Sequence, residues 1–266
     1  MIRRLDPSAL QGLAGALLFF AGWEALSRSG LVNAVMLPAP STVVRSAWAL
    51  LQVGELQSHL WASLGRALHG FAWGAGLGVL LGVAMARLPR LNGFTYPLVQ
   101  MFRAIPALAF VPLAVFWFGI GETSKVFLIA WGVFFPTWVN TFIGVRDTSP
   151  LLARAGASLG ARGWRMLAFV VLPGALPFII AGLRISLSVA LMILVAAELT
   201  GALFGVGYLI QMSQLVFRVD QMFVGLLVLG IMGFGTDLLF NHLIGRLLPW
   251  YGAERRQQQA ARRSTP

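Results

Sequence analysis

Few side chains in this sequence could do chemistry, and most chemistries fail on inventory. There is no cysteine among the 266 residues, so disulfides, thiolate metal sites and thiol nucleophiles are excluded. His59, His69 and His242 lie far apart and on no ligand spacing, so each reads as an interfacial or helix-end residue rather than a metal ligand. A phosphate-binding loop requires Gly-Lys followed by Ser or Thr. The one lysine, Lys125, follows Ser124, so no ATPase site can be built on it. What remains is charge set in apolar sequence, where an ionised group is costly enough to be a functional candidate. Arg103, Arg184 and Glu198 are the translocation-type candidates of this kind. Arg184 and Glu198 share one helix face but stand about 21 Å apart at roughly 1.5 Å per residue, too far to pair. Arg184 and Arg103 either favour an anionic solute in a cavity or snorkel to lipid phosphate and hold a neighbouring helix. Glu24 and Asp237 read as helix-end or packing residues.

The elements that must position these groups are membrane helices. The chain is 58% hydrophobic and only 11% charged, with a mean hydropathy of +0.79, against the roughly 45–50% apolar content of a soluble domain. A net charge of +11 could suggest nucleic acid, but there the basic residues would form a patch with interleaved aromatics. Here they sit between apolar runs, so nucleic acid is not a partner and membrane lipid is. A helical span needs about 20 mostly apolar residues. Six runs qualify, at 10–27, 62–86, 97–119, 124–145, 173–199 and 221–245, and all must be helices because a spanning segment satisfies its own backbone. The expected fold is all-α, a polytopic bundle of six transmembrane helices. The first run follows Met1-Ile2-Arg3-Arg4 and continues through Trp23 and Glu24 without a small-residue cleavage site, so it reads as a retained span rather than a secretory signal.

Arginine placement sets the orientation. Arg3, Arg4, Arg87, Arg90, Arg146, Arg154, Arg162, Arg165, Arg246, Arg255, Arg256, Arg262 and Arg263 gather on one side, against Arg28, Arg45, Arg66, Lys125 and Arg218 on the other. Both termini are therefore expected in the cytoplasm. The chain divides into an N-terminal span with an external amphipathic segment (1–61), a five-helix core (62–246) and a basic tail (247–266). In the first external loop Pro38-Ala39-Pro40 precedes Ser41 as N-cap, with Val43, Val44, Ala47, Leu50 and Leu51 on one face and Gly54 as stop, a surface helix lying on the membrane. The last external loop, 200–220, opens with Gly201, Gly205 and Gly207 and continues as a short helix through Tyr208 to Met212.

The cytoplasmic loop at 146–171 carries most information. Ser149 and Pro150 form a helix start, and a small-residue helix follows through Ala153, Ala155, Gly156 and Ala157. It breaks at Gly160 to Gly163, and a second helix with Trp164, Met166, Leu167 and Phe169 runs up to Pro173. Helix, glycine hinge and helix make an elbow whose smooth face admits another backbone, or an ordinary linker. Within the second run Gly70, Gly74, Gly78 and Gly82 repeat every four residues, a small-xxx-small stripe that packs inside one subunit or across a dimer. Pro106, Pro112, Pro136 and Pro177 mark kinks.

At the elbow a resemblance becomes specific. Arg154-Ala155-Gly156, three residues with Leu159 as the last, Gly160, nine residues, then Val170-Val171-Leu172-Pro173 resembles the signature loop of ABC importer permeases: Glu-Ala-Ala, three residues, Gly, nine residues, Ile-x-Leu-Pro. Leu172 to Pro177, Gly182-Leu183-Arg184, Ala197-Glu198-Leu199, Arg103-Ala104-Ile105-Pro106, Val111-Pro112-Leu113 and Trp117 to Gly121 are similar to the sulfonate, taurine and nitrate branch of the type I, binding-protein-dependent importers. The family's acid is replaced by Arg154 and its second alanine by Gly156.

The resemblance implies a permease subunit in the bacterial inner membrane with no catalytic site, cofactor or metal of its own. It would form the pathway for a small anionic solute such as a sulfonate, taurine or nitrate. The implied partners are two ABC ATPase subunits, a periplasmic or extracellular solute-binding protein and a second permease, as a homodimer. Arg154, Ala155, Gly156, Leu159, Gly160, Leu172 and Pro173 would then be the ATPase coupling residues, turning nucleotide-driven closure into rigid-body rocking of the spans. An ion-coupled secondary transporter is the rival class; it would show repeated halves and buried acids, and no internal repeat is visible.

Overall fold

The computed structural model describes residues 7–248. The expected N-terminal arginines, those of the tail, and most of the 247–266 segment lie outside the described residues. Every regular element among the described residues is helical. In chain order they are α1 (Pro7–Arg28), α2 (Pro40–Gln52), α3 (Glu55–Arg87), α4 (Pro89–Arg103), a 3₁₀ turn (Ala107–Phe110), α5 (Val111–Phe118), α6 (Glu122–Arg146), α7 (Pro150–Ser158), α8 (Gly163–Met166), a π turn (Leu167–Val171), α9 (Leu172–Glu198), α10 (Val206–Leu215) and α11 (Val219–Leu247).

Four stretches are long and apolar enough to cross a membrane: Glu55–Arg87, Glu122–Arg146, Gly163–Glu198 and Val219–Leu247. A fifth is the bent pair Pro89–Arg103 with Ala107–Phe118, which turns through 87° at its break. The sequence reading of six counts in addition the first run, which is α1, a helix of 22 residues. The third expected run is corrected: 97–119 is not one helix but two joined at the break. The cause is chemical, because Pro106 can donate no backbone bond and forces its predecessor out of the helical region.

The described chain forms two compact units, residues 7–62 with Leu203–Leu229, and Ser63–Ala202 with 230–248. In the first, Val43 and Leu50 of α2 are buried with Leu56, Leu209 and Val224, and Ala47, Phe223 and Val228 pack against them. Two residues of the α2 stripe are thus spent inside the protein, while Val44 and Leu51 remain exposed. Ser41 does not cap α2, since Ala39 holds that position and bonds through no side chain. Instead Glu24 of α1 accepts from the Ser41 amide (3.1 Å) and hydroxyl (2.8 Å), a cap supplied by another helix. His59 is buried rather than interfacial: its Nδ1 accepts from the Gly205 amide at 3.0 Å, fixing the start of α10, where Gly205 has φ +137°.

In the second unit α3 and α6 run parallel in van der Waals contact. A Cβ on Gly78 would stand 2.8 Å from the Phe134 carbonyl oxygen, one on Gly82 2.8 Å from Thr141 Cβ, and one on Gly70 2.5 Å from Ile129 Cβ. Gly74 would meet the Ala130 carbonyl. The four-residue stripe therefore packs against α6 of the same chain. Antiparallel to α6 lies α9, close enough that Gly182 faces Asn140 and Gly144 faces Phe178. A buried polar pin joins them: Thr137 Oγ1 and Ser186 Oγ are 2.8 Å apart, and Ser186 donates to the Val133 carbonyl at 3.1 Å. It lies beside Pro136, where the α6 ladder lacks a donor.

Candidate functional site

The elbow is built by α7, its turn and α8. Helix α7 ends in a Schellman motif: the Ala161 amide donates to the Gly156 carbonyl (2.9 Å) and the Gly160 amide to the Ala157 carbonyl (3.0 Å). Gly160 sits at φ +85° and Gly163 at φ +52°, conformations that cost a side chain. Gly156, where the family pattern has alanine, is buried, and a Cβ there would stand 2.8 Å from Val170 Cγ2. The helix after the hinge does not stop at Pro173. It continues through the π turn into α9, which corrects the expected boundary; the wider turn accommodates a proline ring that would crowd the preceding carbonyls. Ser149 occupies the N-cap position of α7 but makes no side-chain cap bond.

The face of the elbow is open and apolar. Leu159 is 89% exposed, and Leu151, Trp164 and Phe169 are exposed as well, so greasy side chains cluster at a hinge. Arg154 Nε donates at 3.3 Å to Pro150 O of its own helix. Ala155 and Leu159 lie on the same short helix and its cap, while Leu172 and Pro173 open α9. At the entry to α7 the Arg146 guanidinium bonds Asp147 (2.9 Å) and holds its carboxyl below the usual aspartate range. The structure thus brings Arg154 to Gly160 together, and joins them to Leu172 and Pro173 through the Gly156–Val170 contact.

The charged candidates have different surroundings from those expected. Arg184 forms a two-pronged ion pair with Asp237 of α11, at 2.8 and 2.9 Å, and Asn241 supports the same carboxylate at 2.9 Å. It is therefore answered by an acid and holds a neighbouring helix, the second of the two readings its sequence context offered. Glu198 is fully buried and accepts from Ser63 Oγ (2.6 Å) and Arg66 Nη1 (2.8 Å). Arg66 bonds Glu122 with its other nitrogens, and Lys125 Nζ is seated on the Gly121 carbonyl at 2.9 Å. Sequence reasoning missed this cluster. The available signal was that Arg66 falls inside an apolar run, where a charge must find a partner.

Arg103 is placed otherwise. It ends α4 at the 87° break and lines a cavity of about 400 Å³ with Ile105, Pro106, Ala107, Trp131, Gly132, Phe135, Pro136, Val139, Val189 and Ile193. Trp131 bridges the two halves of the bent pair, its ring 5.8 Å from Phe102 and 4.4 Å from Phe110. Among the described residues no group of histidines and acids could hold a metal ion.

Residues 74–249 match the family described as binding-protein-dependent transport system inner membrane component. The chain is 38% identical over 241 residues, 91% of its own length and 87% of the relative's, to a Bacillus subtilis protein named as an aliphatic sulfonates transport permease, SsuC. It is 37% identical to the taurine transport system permease TauC of Escherichia coli over 86% of each chain. To the riboflavin transport system permease RibX of Chloroflexus aurantiacus it is 30% identical, over 94% of this chain and 93% of the relative.

Proposed function

The chain belongs to the family of binding-protein-dependent transport system inner membrane components, and from that premise we propose that it carries a small aliphatic sulfonate or taurine across the membrane. It is the multi-pass, non-enzymatic permease subunit of an ATP-driven importer; a separate subunit hydrolyses ATP and a solute-binding protein delivers the cargo. Membership sets aside the rival reading of an ion-coupled secondary transporter. The observation that carries the solute assignment is the likeness to sulfonate and taurine permeases over 91% and 86% of the chain.

The finer assembly is part of the same proposal. Two copies of the permease pair as a homodimer over two ATPase subunits, with both termini in the cytoplasm, the core at 62–246 and a basic tail at 247–266. Arg154, Ala155, Gly156, Leu159 and Gly160 seat in the ATPase, and Leu172 and Pro173 pass the movement into α9. Two features support this lever. Its exposed Leu159 and Trp164 give a partner something to bury, and the helical stretch from Gly163 to Glu198 runs from the hinge through the π turn into α9.

Proteoliposomes holding the permease, its ATPase and its binding protein test the proposal. ATP-dependent uptake of butanesulfonate or taurine is expected, with riboflavin excluded. Uptake by the permease alone, or of riboflavin but neither sulfonate, would overturn it.

A further inference from the structure

We propose that α2 lies along the membrane surface, on the side where α3 and α11 begin, with Val44, Trp48 and Leu51 set into lipid at the boundary between headgroups and acyl chains. The partner is the phospholipid bilayer itself, and the surface follows from membrane insertion alone, whichever solute is carried.

The helix has three faces, where one lying between a protein core and water needs two. Each step along an α-helix turns the side chain by about 100°. Val43, Ala47 and Leu50 point into the core of the first unit, where Leu56, Leu209 and Val224 meet them. One residue on, Val44, Trp48 and Leu51 form a second apolar stripe, and it is open: Val44 is 66% exposed and Trp48 62%. One residue further, Arg45, Ala49 and Gln52 form the face suited to water, and all three are exposed. Packing thus divides the broad apolar face read from the sequence, and the half that the core leaves uncovered calls for another apolar medium.

The level of the helix says which medium. Its first turn is held by Glu24, near the end of α1. Its middle is held by the Ser46 hydroxyl, which donates to Asp220 in the first turn of α11. Its end passes through Val53 and Gly54 straight into α3. Since α3 and α11 are membrane spans, a helix tied to the starts of both runs across the span ends, at the level of the headgroups.

The chemistry of the segment agrees. From 29 to 53 the only charged residue is Arg45, and Leu31, Met36 and Val53 are exposed as well as the α2 stripe. A surface this apolar is unsuited to standing in water, and a soluble protein that docked here and left would return it to water each time. Trp48 is the stripe residue nearest the polar face, the place where an indole buries its ring and keeps its N–H among the headgroups. Arg45, on that polar face, can lay its stem along the stripe and carry its guanidinium to lipid phosphate.

The lack of cysteine in the chain makes the test direct. Single cysteines introduced as Val44→Cys, Leu51→Cys, Ala49→Cys and Gln52→Cys are labelled with bimane, and each permease is reconstituted in nanodiscs with a cysteine-free ATPase. Lipids brominated on the acyl chain near the headgroup should quench the label at 44 and 51 several-fold more than at 49 and 52, and aqueous iodide should do the reverse. Adding the binding protein should leave lipid quenching at 44 and 51 unchanged. Equal quenching of the two pairs, or free access of iodide to 44 and 51, would overturn the proposal. It would also fall if neither quencher reached 44 and 51, which would give the stripe to a second copy of the permease, or if the binding protein abolished lipid quenching there, which would give the stripe to that protein. Gel filtration reports assembly of each complex; a variant that fails is replaced by Trp48→Cys on the lipid stripe or Arg45→Cys on the polar face.

Discussion

The α6–α9 pair carries opposite chemistry at its two ends. At the start of α6, Arg66, Glu122 and Glu198 close on one another and Lys125 sits on backbone carbonyls. Beyond the far end, the elbow leaves Arg154 bonded only to its own helix and Leu159 and Trp164 in the open. Charges that hold helices together are paired and mostly buried. Groups kept for a partner are left exposed, on a short helix hinged by glycines at positive φ. The first end is a fixture, the second a handle, and substitutions should sort accordingly into losses of stability and losses of coupling.

The strongest break of that comparison is Glu198→Ala, which leaves the buried Arg66 with Glu122 as its remaining carboxylate and Ser63 without its acceptor. A loss of up to about 3 kcal/mol is expected, read as thermal inactivation in detergent, and a stability near that of the parent would show the cluster to be idle. Glu122→Gln should cost less, because its side chain is 65% exposed. Next comes Gly74→Val, which would push into the Ala130 carbonyl of α6. Overpacking of this kind costs about 1–3 kcal/mol, and a melting temperature equal to the parent's would mean that α3 and α6 can separate freely.

At the elbow the expected order reverses. Gly160→Val should destabilise by only about 1 kcal/mol, yet reduce stimulation of ATPase activity by loaded binding protein several-fold in proteoliposomes. Arg154→Glu should change stability by less than about 0.5 kcal/mol and still alter that stimulation. If both variants were stimulated like the parent, the elbow would have no part in coupling. The smallest effect concerns acid. The Arg146 bond to Asp147 keeps the carboxyl below the normal aspartate value, so its contribution is present above the unfolded value near 3.9 and is lost as pH falls through the folded one. The difference in melting temperature between the parent and Asp147→Asn should therefore shrink on acidification below pH 4; a constant difference would mean that the pair contributes nothing.

Legibility in the sequence followed the range of the forces involved. The glycine stripe, the elbow's hinge and the α10 helix could be read because each is local, set by four-residue spacing or by a φ that few residues adopt. Arg184 and Glu198 could be read as costly but not as paired. Their partners, Asp237 and Arg66, lie 53 and 132 positions away, and no local pattern announces a long-range ion pair. The same holds for Glu24, which caps α2 from another helix.

The sequence by itself determined that the chain is a bundle of membrane helices, because burying some 20 apolar residues in lipid leaves the backbone no other solution. It also determined that the chain lacks thiol chemistry and a phosphate-binding lysine loop, since those need residues it does not have. Only the tertiary structure decided which charges are neutralised within the protein and which stay available. Charge compensation acts through space over a few ångströms between helices distant in sequence, as the pairs of Arg184 with Asp237 and of Arg66 with Glu198 show.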